Sequence, residues 1–130
     1  MFTGIIEEIG SIERMQKSSS SMELTITAGR VLEDVHIGDS ISVNGVCLTV
    51  TSFSSRQFQV DVMPETFEGT TLRNLSHGSK VNLERAMAAN GRFGGHFVNG
   101  HVDGVGTIVR IEKVENAWYM DISIPENQSH

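Results

Sequence analysis

A single cysteine, Cys47, leaves no partner for an internal disulfide, so the fold must hold without a covalent staple. Such sparing use of cysteine fits a reducing cytoplasm. No stretch approaches the roughly 18 apolar residues that cross a bilayer. The opening run Met1–Gly10 carries acidic residues and no basic patch, so no secretory signal is expected there. Basic residues are also few: 10 Lys and Arg stand against 16 Asp and Glu, a net charge of −6. That balance lacks the electrostatic footprint of a nucleic-acid binder. Neither nucleic acid nor membrane is therefore an expected partner; small molecules and other protein chains are.

Proline is nearly absent, at two residues, whereas glycine reaches 13. Short apolar runs fill the spaces between the glycines, which favours an all-β domain with frequent turns. A length of 130 residues suits one domain, or one domain plus a fragment.

Strands are predicted at Ile5–Ile12 and Met22–Thr27, separated by the solvated tip Ser18–Ser21. In the second, Met22, Leu24 and Ile26 alternate with Glu23, Thr25 and Thr27, the period of a half-buried strand. Val31–Val35 reads as a helical turn. Ser40–Val43 and Val46–Thr51 flank Asn44-Gly45, a strong hairpin signal because both turn residues accept positive φ. Phe58–Val62 and Lys80–Leu83 complete a set of six. Between them, Pro64-Glu65-Thr66 predicts a short helix opened by proline. Glu84–Asn90 is helix-like, and Gly91–Gly95 is a flexible connector. Six short strands in one unit predict a closed antiparallel Greek-key barrel, since closure removes exposed edges.

The chain also repeats itself. Gly4-Ile5-Ile6-Glu7-Glu8-Ile9-Gly10-Ser11-Ile12-Glu13-Arg14 aligns with Gly100-His101-Val102-Asp103-Gly104-Val105-Gly106-Thr107-Ile108-Val109-Arg110, an offset of 96 from Gly4 to Gly100. The next strand aligns at an offset of 98, from Met22 to Met120, which predicts a loop longer by two residues in the second copy. Self-similarity at a long period points to a duplicated unit. The expected organisation is a complete barrel over residues 1–97 and the incomplete start of another over 98–130. An edge hairpin on a single domain is the plainer alternative. Trp118 and Tyr119 would belong to the second core and stay partly exposed in a fragment.

Several motifs, taken together, resemble those of the riboflavin synthase family, in order and in spacing. They are Met1-Phe2-Thr3-Gly4-Ile5, Gly38-Asp39-Ser40, Asn44-Gly45-Val46-Cys47-Leu48-Thr49-Val50 and Met63-Pro64-Glu65-Thr66. Val81-Asn82-Leu83-Glu84-Arg85-Ala86, Gly95-His96 and Gly100-His101-Val102-Asp103-Gly104 continue the series to the second unit. The wording is most similar to the enzymes of bacilli. The resemblance implies two similar barrels per subunit and a carboxy-terminal helix that holds a homotrimer together. It implies a dismutation in which two molecules of 6,7-dimethyl-8-ribityllumazine exchange a four-carbon unit, giving riboflavin and a ribitylaminopyrimidinedione. No metal or organic cofactor is implied. The active site would lie between an N-barrel and a C-barrel of neighbouring subunits, and the parent enzyme of bacilli can sit inside a lumazine synthase shell.

Carried over by motif, the substrate site takes Gly4, Ile5 and Ile6 on one edge and Cys47, Leu48 and Thr49 beneath the ring. Asp61, Val62, Met63, Pro64, Glu65 and Thr66 would wrap the heterocycle and the ribityl chain. Gly100, His101 and Val102 would close it. Cys47, His101 and Ser40 are the expected catalytic groups. Taken without the family, each has a plainer reading: Cys47 as a small buried hydrophobe, His96 and His101 as surface histidines, Ser40 as a strand hydroxyl, and Phe2 as an anchor for the first strand. A metal site at His96, His101 and Asp103 is disfavoured by the absence of cysteine and of helical spacing. No Gly-x-Ser-x-Gly elbow supports a hydrolase. A truncated chain is expected to bind ligand with little or no turnover, and two copies to pair as a homodimer. The alternative from another class is a non-catalytic lumazine- or flavin-binding protein.

Overall fold

A computed structural model describes residues 1–126. Six strands form a closed barrel: β1 (Glu8–Lys17), β2 (Met22–Thr27), β3 (Ser40–Val43), β4 (Val46–Phe53), β5 (Gln57–Val62) and β6 (Lys80–Arg85). Around the barrel the order is β1-β2-β5-β4-β3-β6, with β6 returning to β1, and every pair is antiparallel. Strands β3, β4 and β5 meander, while β2 and β6 return to the two sides of that meander. This is the Greek-key arrangement expected from the strand count.

Period-two alternation puts one face of each strand inside. Ile12, Leu24, Ile26, Ile41, Val43, Leu48, Val50, Phe58, Val60, Val62, Val81 and Leu83 form one core. Val31, from a 3-10 turn at Arg30–Leu32, joins it, as does Leu72 from a second 3-10 turn at Thr71–Asn74 that the sequence did not predict. The Asn44-Gly45 turn has φ of 50° and 83°, as its hairpin signal required. A short helix, α1 (Pro64–Glu68), follows β5 with proline in its first turn.

Two predicted elements differ. The first strand begins at Glu8 rather than Ile5, because Gly4 takes a φ of +85° and the chain at Thr3 and Gly4 is tied to a carboxylate on β6. Glu84–Asn90 is not helical. Glu84 and Arg85 instead extend the β6 ladder opposite Ser42 and Ile41, and residues 86–90 leave the sheet as coil.

Beyond the barrel, β7 (Thr107–Val114) and β8 (Ala117–Ser123) form a separate two-stranded hairpin. Its register copies that of β1 and β2. Ser11 faces Thr27 and Thr107 faces Ser123; Ile12 faces Ile26 and Ile108 faces Ile122. A bulge follows at the equivalent step in each pair, Ile12/Arg14 and Ile108/Arg110. The offset of 96 therefore holds for both strands, and the offset of 98 expected for the second is corrected. The Met22–Met120 alignment matched residue types, whereas the bulge and the glycine ahead of it set the pairing. Gly10 lies against Thr27 and Ile26, and Gly106 against Ser123 and Ile122. Burial separates the two hairpins: Ile12 and Ile26 are enclosed, while Ile108 and Ile122 are 53% and 57% exposed. Positions 127–130 of the expected second unit lie outside the described residues. Among the described residues, no helix is long and apolar enough to cross a membrane.

Candidate functional site

The barrel wall opens between β4 and β5. Their ladder runs from Phe53–Phe58 to Val50–Val60 and ends there, although both strands continue, β4 back to Val46 and β5 on to Val62. Proline at position 64 cannot donate to a ladder and its ring fixes φ, so the chain turns into α1 instead of continuing along β4. On the outer face of β4, Cys47 and Thr49 alternate with the core residues Val46, Leu48 and Val50.

A segment running from Val98 to Val102 covers the gap. The Cys47 amide donates to the Gly100 carbonyl at 3.0 Å. Gly100 has a φ of +79°, and a Cβ there would lie 2.6 Å from the Cys47 Cβ, so only glycine permits this approach. The segment is held further back by paired bonds between Phe2 and Val98, at 2.7 and 3.0 Å, and Phe2 is fully buried beneath it.

The result is a cleft of about 290 Å³ whose exposed or half-buried polar side chains are Cys47, Glu65, Thr66 and His101. That volume is at the small end of the ~300–1,000 Å³ usual for small-molecule sites. None of those four side chains has a hydrogen-bond partner among the described residues. Unpaired polar groups converging on a cleft are what a polar ligand requires.

A second, larger cleft of about 590 Å³ lies beside β3, β6 and the 86–94 coil. Of its charged groups, Glu7, Asp34, Asp39, Glu84 and Arg85 are paired within the chain, whereas Arg92 makes no side-chain hydrogen bond or ion pair among the described residues. Arg85 donates through Nη2 and Nε to Glu7 at 2.8 and 3.1 Å, and through Nη1 to Asp34 at 3.0 Å. The hydrogen bonds from Arg85 hold the Glu7 carboxyl below its ordinary pKa of 4.5, against the opposing effect of burial. The same contacts raise the Arg85 guanidinium above its usual value. Larger volume alone does not outweigh this internal pairing, and the smaller cleft is the better candidate.

The predicted site residues divide between these places. Cys47, Glu65, Thr66, Gly100, His101 and Val102 line the smaller cleft together. Thr49 on β4, Asp61 on β5 and Met63, which precedes α1, are exposed but do not line this cleft, and Pro64 opens α1. Leu48 and Val62 are 5% and 0% exposed and belong to the core, so their side chains cannot line the cleft. Ser40 and Ile5 line the larger cleft, Ser40 facing Thr49 on the same outer surface. Gly4 and Ile6 are exposed and line neither. His96 is exposed, its amide bonded to the Thr3 carbonyl. No group of three or more His, Cys, Asp or Glu side chains is placed to hold a metal among the described residues.

The family profile of the lumazine binding domain matches residues 3–86. The chain belongs to this family. Among curated relatives, riboflavin synthase of Bacillus subtilis (strain 168) is 65% identical over 124 residues, covering 95% of this chain and 58% of that protein. Riboflavin synthase of Actinobacillus pleuropneumoniae is 61% identical over 120 residues, covering 92% and 56%. The chain thus spans little more than half the length of these relatives. Among solved structures, LumP complexed with 6,7-dimethyl-8-(1'-D-ribityl) lumazine superposes with a TM-score of 0.85 at 32% identity, covering 98% of this chain and 71% of that one. LumP complexed with flavin mononucleotide superposes with a TM-score of 0.84.

The cleft of this lumazine-binding domain also includes residues that sequence reading missed. Val46, Gly69 and Thr70 line it, the last two just beyond α1. Thr70 caps the second 3-10 turn, accepting from the Leu72 amide, and donates to the Thr66 carbonyl at 2.7 Å. A Ser/Thr cap two residues before a buried leucine was the available signal.

Proposed function

We propose that this lumazine-binding domain holds 6,7-dimethyl-8-ribityllumazine in the smaller cleft and serves as one substrate-binding half of a riboflavin synthase. The observation that carries the reading is the gap between β4 and β5, where unpartnered polar side chains gather in a domain of this family. The 65% identity to a riboflavin synthase, and the solved relatives that bind lumazine and flavins, support the same ligand class.

The chemistry suits the surroundings. A flat ring rich in carbonyls and ring nitrogens would take hydrogen bonds from backbone near Thr49 and at 61–63, the Cys47 amide being already bonded to Gly100, and from the Thr66 hydroxyl. Carboxylates at Asp61 and Glu65 suit the hydroxyls of a ribityl chain. The lumazine ring acidifies its own C7 methyl group, so the protein's task is mainly to hold two such rings face to face, with proximity supplying several kcal/mol. Modest acid–base help falls to His101, an imidazole being suited to proton transfer, and Cys47 is the candidate for transient addition to the ring. Ser40, in the other cleft, would act on a ligand held by an adjoining barrel.

Residues from about 98 onward are the start of a second repeat in this reading. The shared register and bulge of the two hairpins, and the exposure of residues equivalent to core positions, support it. Two strands alone cannot bury a face. With one barrel, the 130-residue chain binds ligand and turns over little or not at all. Mixing the purified chain with the lumazine and following riboflavin by its absorbance tests this: binding without product is expected, and robust turnover would overturn the half-enzyme reading. The resemblance to LumP supports a second reading, a binding protein without catalysis. Replacing Cys47 and His101 with Ala in a chain extended through the second repeat separates the two: the enzyme loses turnover, whereas a binding protein has none to lose.

A further inference from the structure

Glu84 is 5% exposed, yet it forms no ion pair with any described residue. Its carboxylate is used otherwise. Oε2 accepts from the Thr3 amide at 2.7 Å and the Thr3 hydroxyl at 2.8 Å, while Oε1 accepts from the Gly4 amide at 3.0 Å. Three donors thus converge on one acceptor-only group, an arrangement that a neutral amide cannot reproduce.

What Glu84 holds is the first link of a chain that ends in the cleft. On the outer face of the barrel, Glu84 faces Ser42 across β6 and β3, and Ser42 faces Cys47 across β3 and β4. Two stretches of backbone lie over this row. Residues 2–4 are tied at one side to Glu84 and paired at the other with residues 96–98, through Phe2, Thr3, His96 and Val98. The second stretch runs on to Gly100, whose carbonyl receives the Cys47 amide, and then to His101 and Val102 in the cleft wall. Neither stretch belongs to a named strand of the barrel; apart from the Cys47–Gly100 bond to β4, the backbone bonds of this layer run between the two stretches, to Glu84 and, from Met1, to Met87.

We infer that Glu84 is a positioning residue: by anchoring residues 3–4 it sets the two-stretch outer layer, and so places the His101 wall of the ligand cleft. The consequence for ligand binding rests on the function proposed above; the consequence for the layer does not. Loss of the anchor frees the layer while leaving the barrel closed, because the core residues pack beneath the sheet and not through Glu84.

The test uses the full chain with Glu84→Gln, which keeps size and shape but turns an amide donor toward the Thr3 or Gly4 N–H. Thr3→Ser, which keeps the hydroxyl, is the conservative control. Amide hydrogen exchange without ligand, followed by NMR, and fluorescence titration with 6,7-dimethyl-8-ribityllumazine are both measured. Glu84→Gln is expected to lower protection of the Val98 and Cys47 amides at least tenfold, to leave the β2 and β5 amides unchanged, and to raise Kd about tenfold. Thr3→Ser is expected to behave as wild type. Wild-type protection at Val98 and Cys47 in Glu84→Gln overturns the proposal, as does an equal loss of protection throughout the barrel, which would mark Glu84 as merely structural. Released amides with an unchanged Kd overturn the link to the cleft. A wild-type chain that binds no lumazine overturns the proposed function instead, while the exchange data still decide the anchor.

Discussion

Replacing Gly100 with Ala isolates the closing wall of the cleft from the rest of the fold. The residue has a φ of +79°, where a side chain costs ~1–2 kcal/mol. Its new Cβ would also lie 2.6 Å from the Cys47 Cβ and 3.1 Å from the Cys47 nitrogen, an overlap with a neighbouring strand rather than with a flexible chain end. Overpacking of that kind costs ~1–3 kcal/mol where nothing can move. Here something can. Moving the 98–102 segment away from β4 relieves both strains at the cost of the Cys47–Gly100 hydrogen bond, worth ~1 kcal/mol. The cheaper response is therefore displacement of the wall. The barrel core contains no residue of this segment, so the urea midpoint should report a loss of no more than about 1–1.5 kcal/mol. Lumazine binding should suffer more, because His101 and Val102 move with Gly100. A loss of ~1.4–3 kcal/mol in binding corresponds to a rise in Kd of roughly 10- to 150-fold. Fluorescence titration beside urea denaturation gives both quantities on one sample. An unchanged Kd in Gly100→Ala, with the fold intact, would refute the role given to this wall.

Other perturbations read other parts of the structure. Phe58→Ala empties a fully buried position at the centre of the core and should cost ~3–5 kcal/mol in urea denaturation; a loss under about 1 kcal/mol would mean the core is not packed as described. Gly45→Val puts a β-branched residue at a φ of +83° in the β3–β4 turn, with an expected loss of ~1–2 kcal/mol by thermal denaturation. The Glu7 carboxyl, held below 4.5 by hydrogen bonds from Arg85, stabilises the folded state above the unfolded pKa, and that contribution falls away as pH drops through the lowered folded value. The stability gap between wild type and Glu7→Gln should thus be full near neutrality and shrink below about pH 4, as measured by urea midpoints across pH; a gap that widens on acidification would contradict the pairing.

Local patterns made most of the barrel legible. Alternation gave β2 to its residue, and the Asn44-Gly45 dipeptide placed β3 and β4 with their turn, because both signals are local to the chain. Errors arose where distant partners decide. Glu84–Asn90 has helix-forming residues, yet Glu84 is occupied by Thr3 and Gly4, and Arg85 by Glu7 and Asp34. Those contacts join residues 51 to 81 positions apart, and no local window of sequence contains both ends. The late start of β1 has the same origin. The likeness of the two hairpins was visible in sequence, but alignment by residue type misplaces the second strand, whereas register follows the bulge and the glycine ahead of it. The candidate site was legible through motifs alone: Cys47, Glu65, Thr66, Gly100, His101 and Val102 meet in one cleft. Leu48 and Val62 sit within the same motifs but on the inward phase of their strands, a distinction that the period of two already contains. The division of Ser40 and Ile5 into a separate cleft depends on the path of the 86–94 coil, which local propensity does not fix.

The most direct test of the cleft is a titration of the isotopically labelled chain with 6,7-dimethyl-8-ribityllumazine, followed by ligand fluorescence and by the backbone amides together. Saturable binding of one ligand per chain is expected, with amide shifts concentrated at 47–49, 61–66 and 100–102. Shifts clustered instead on the larger cleft around Arg85, or no saturation at any ligand concentration, would contradict the assignment of the site.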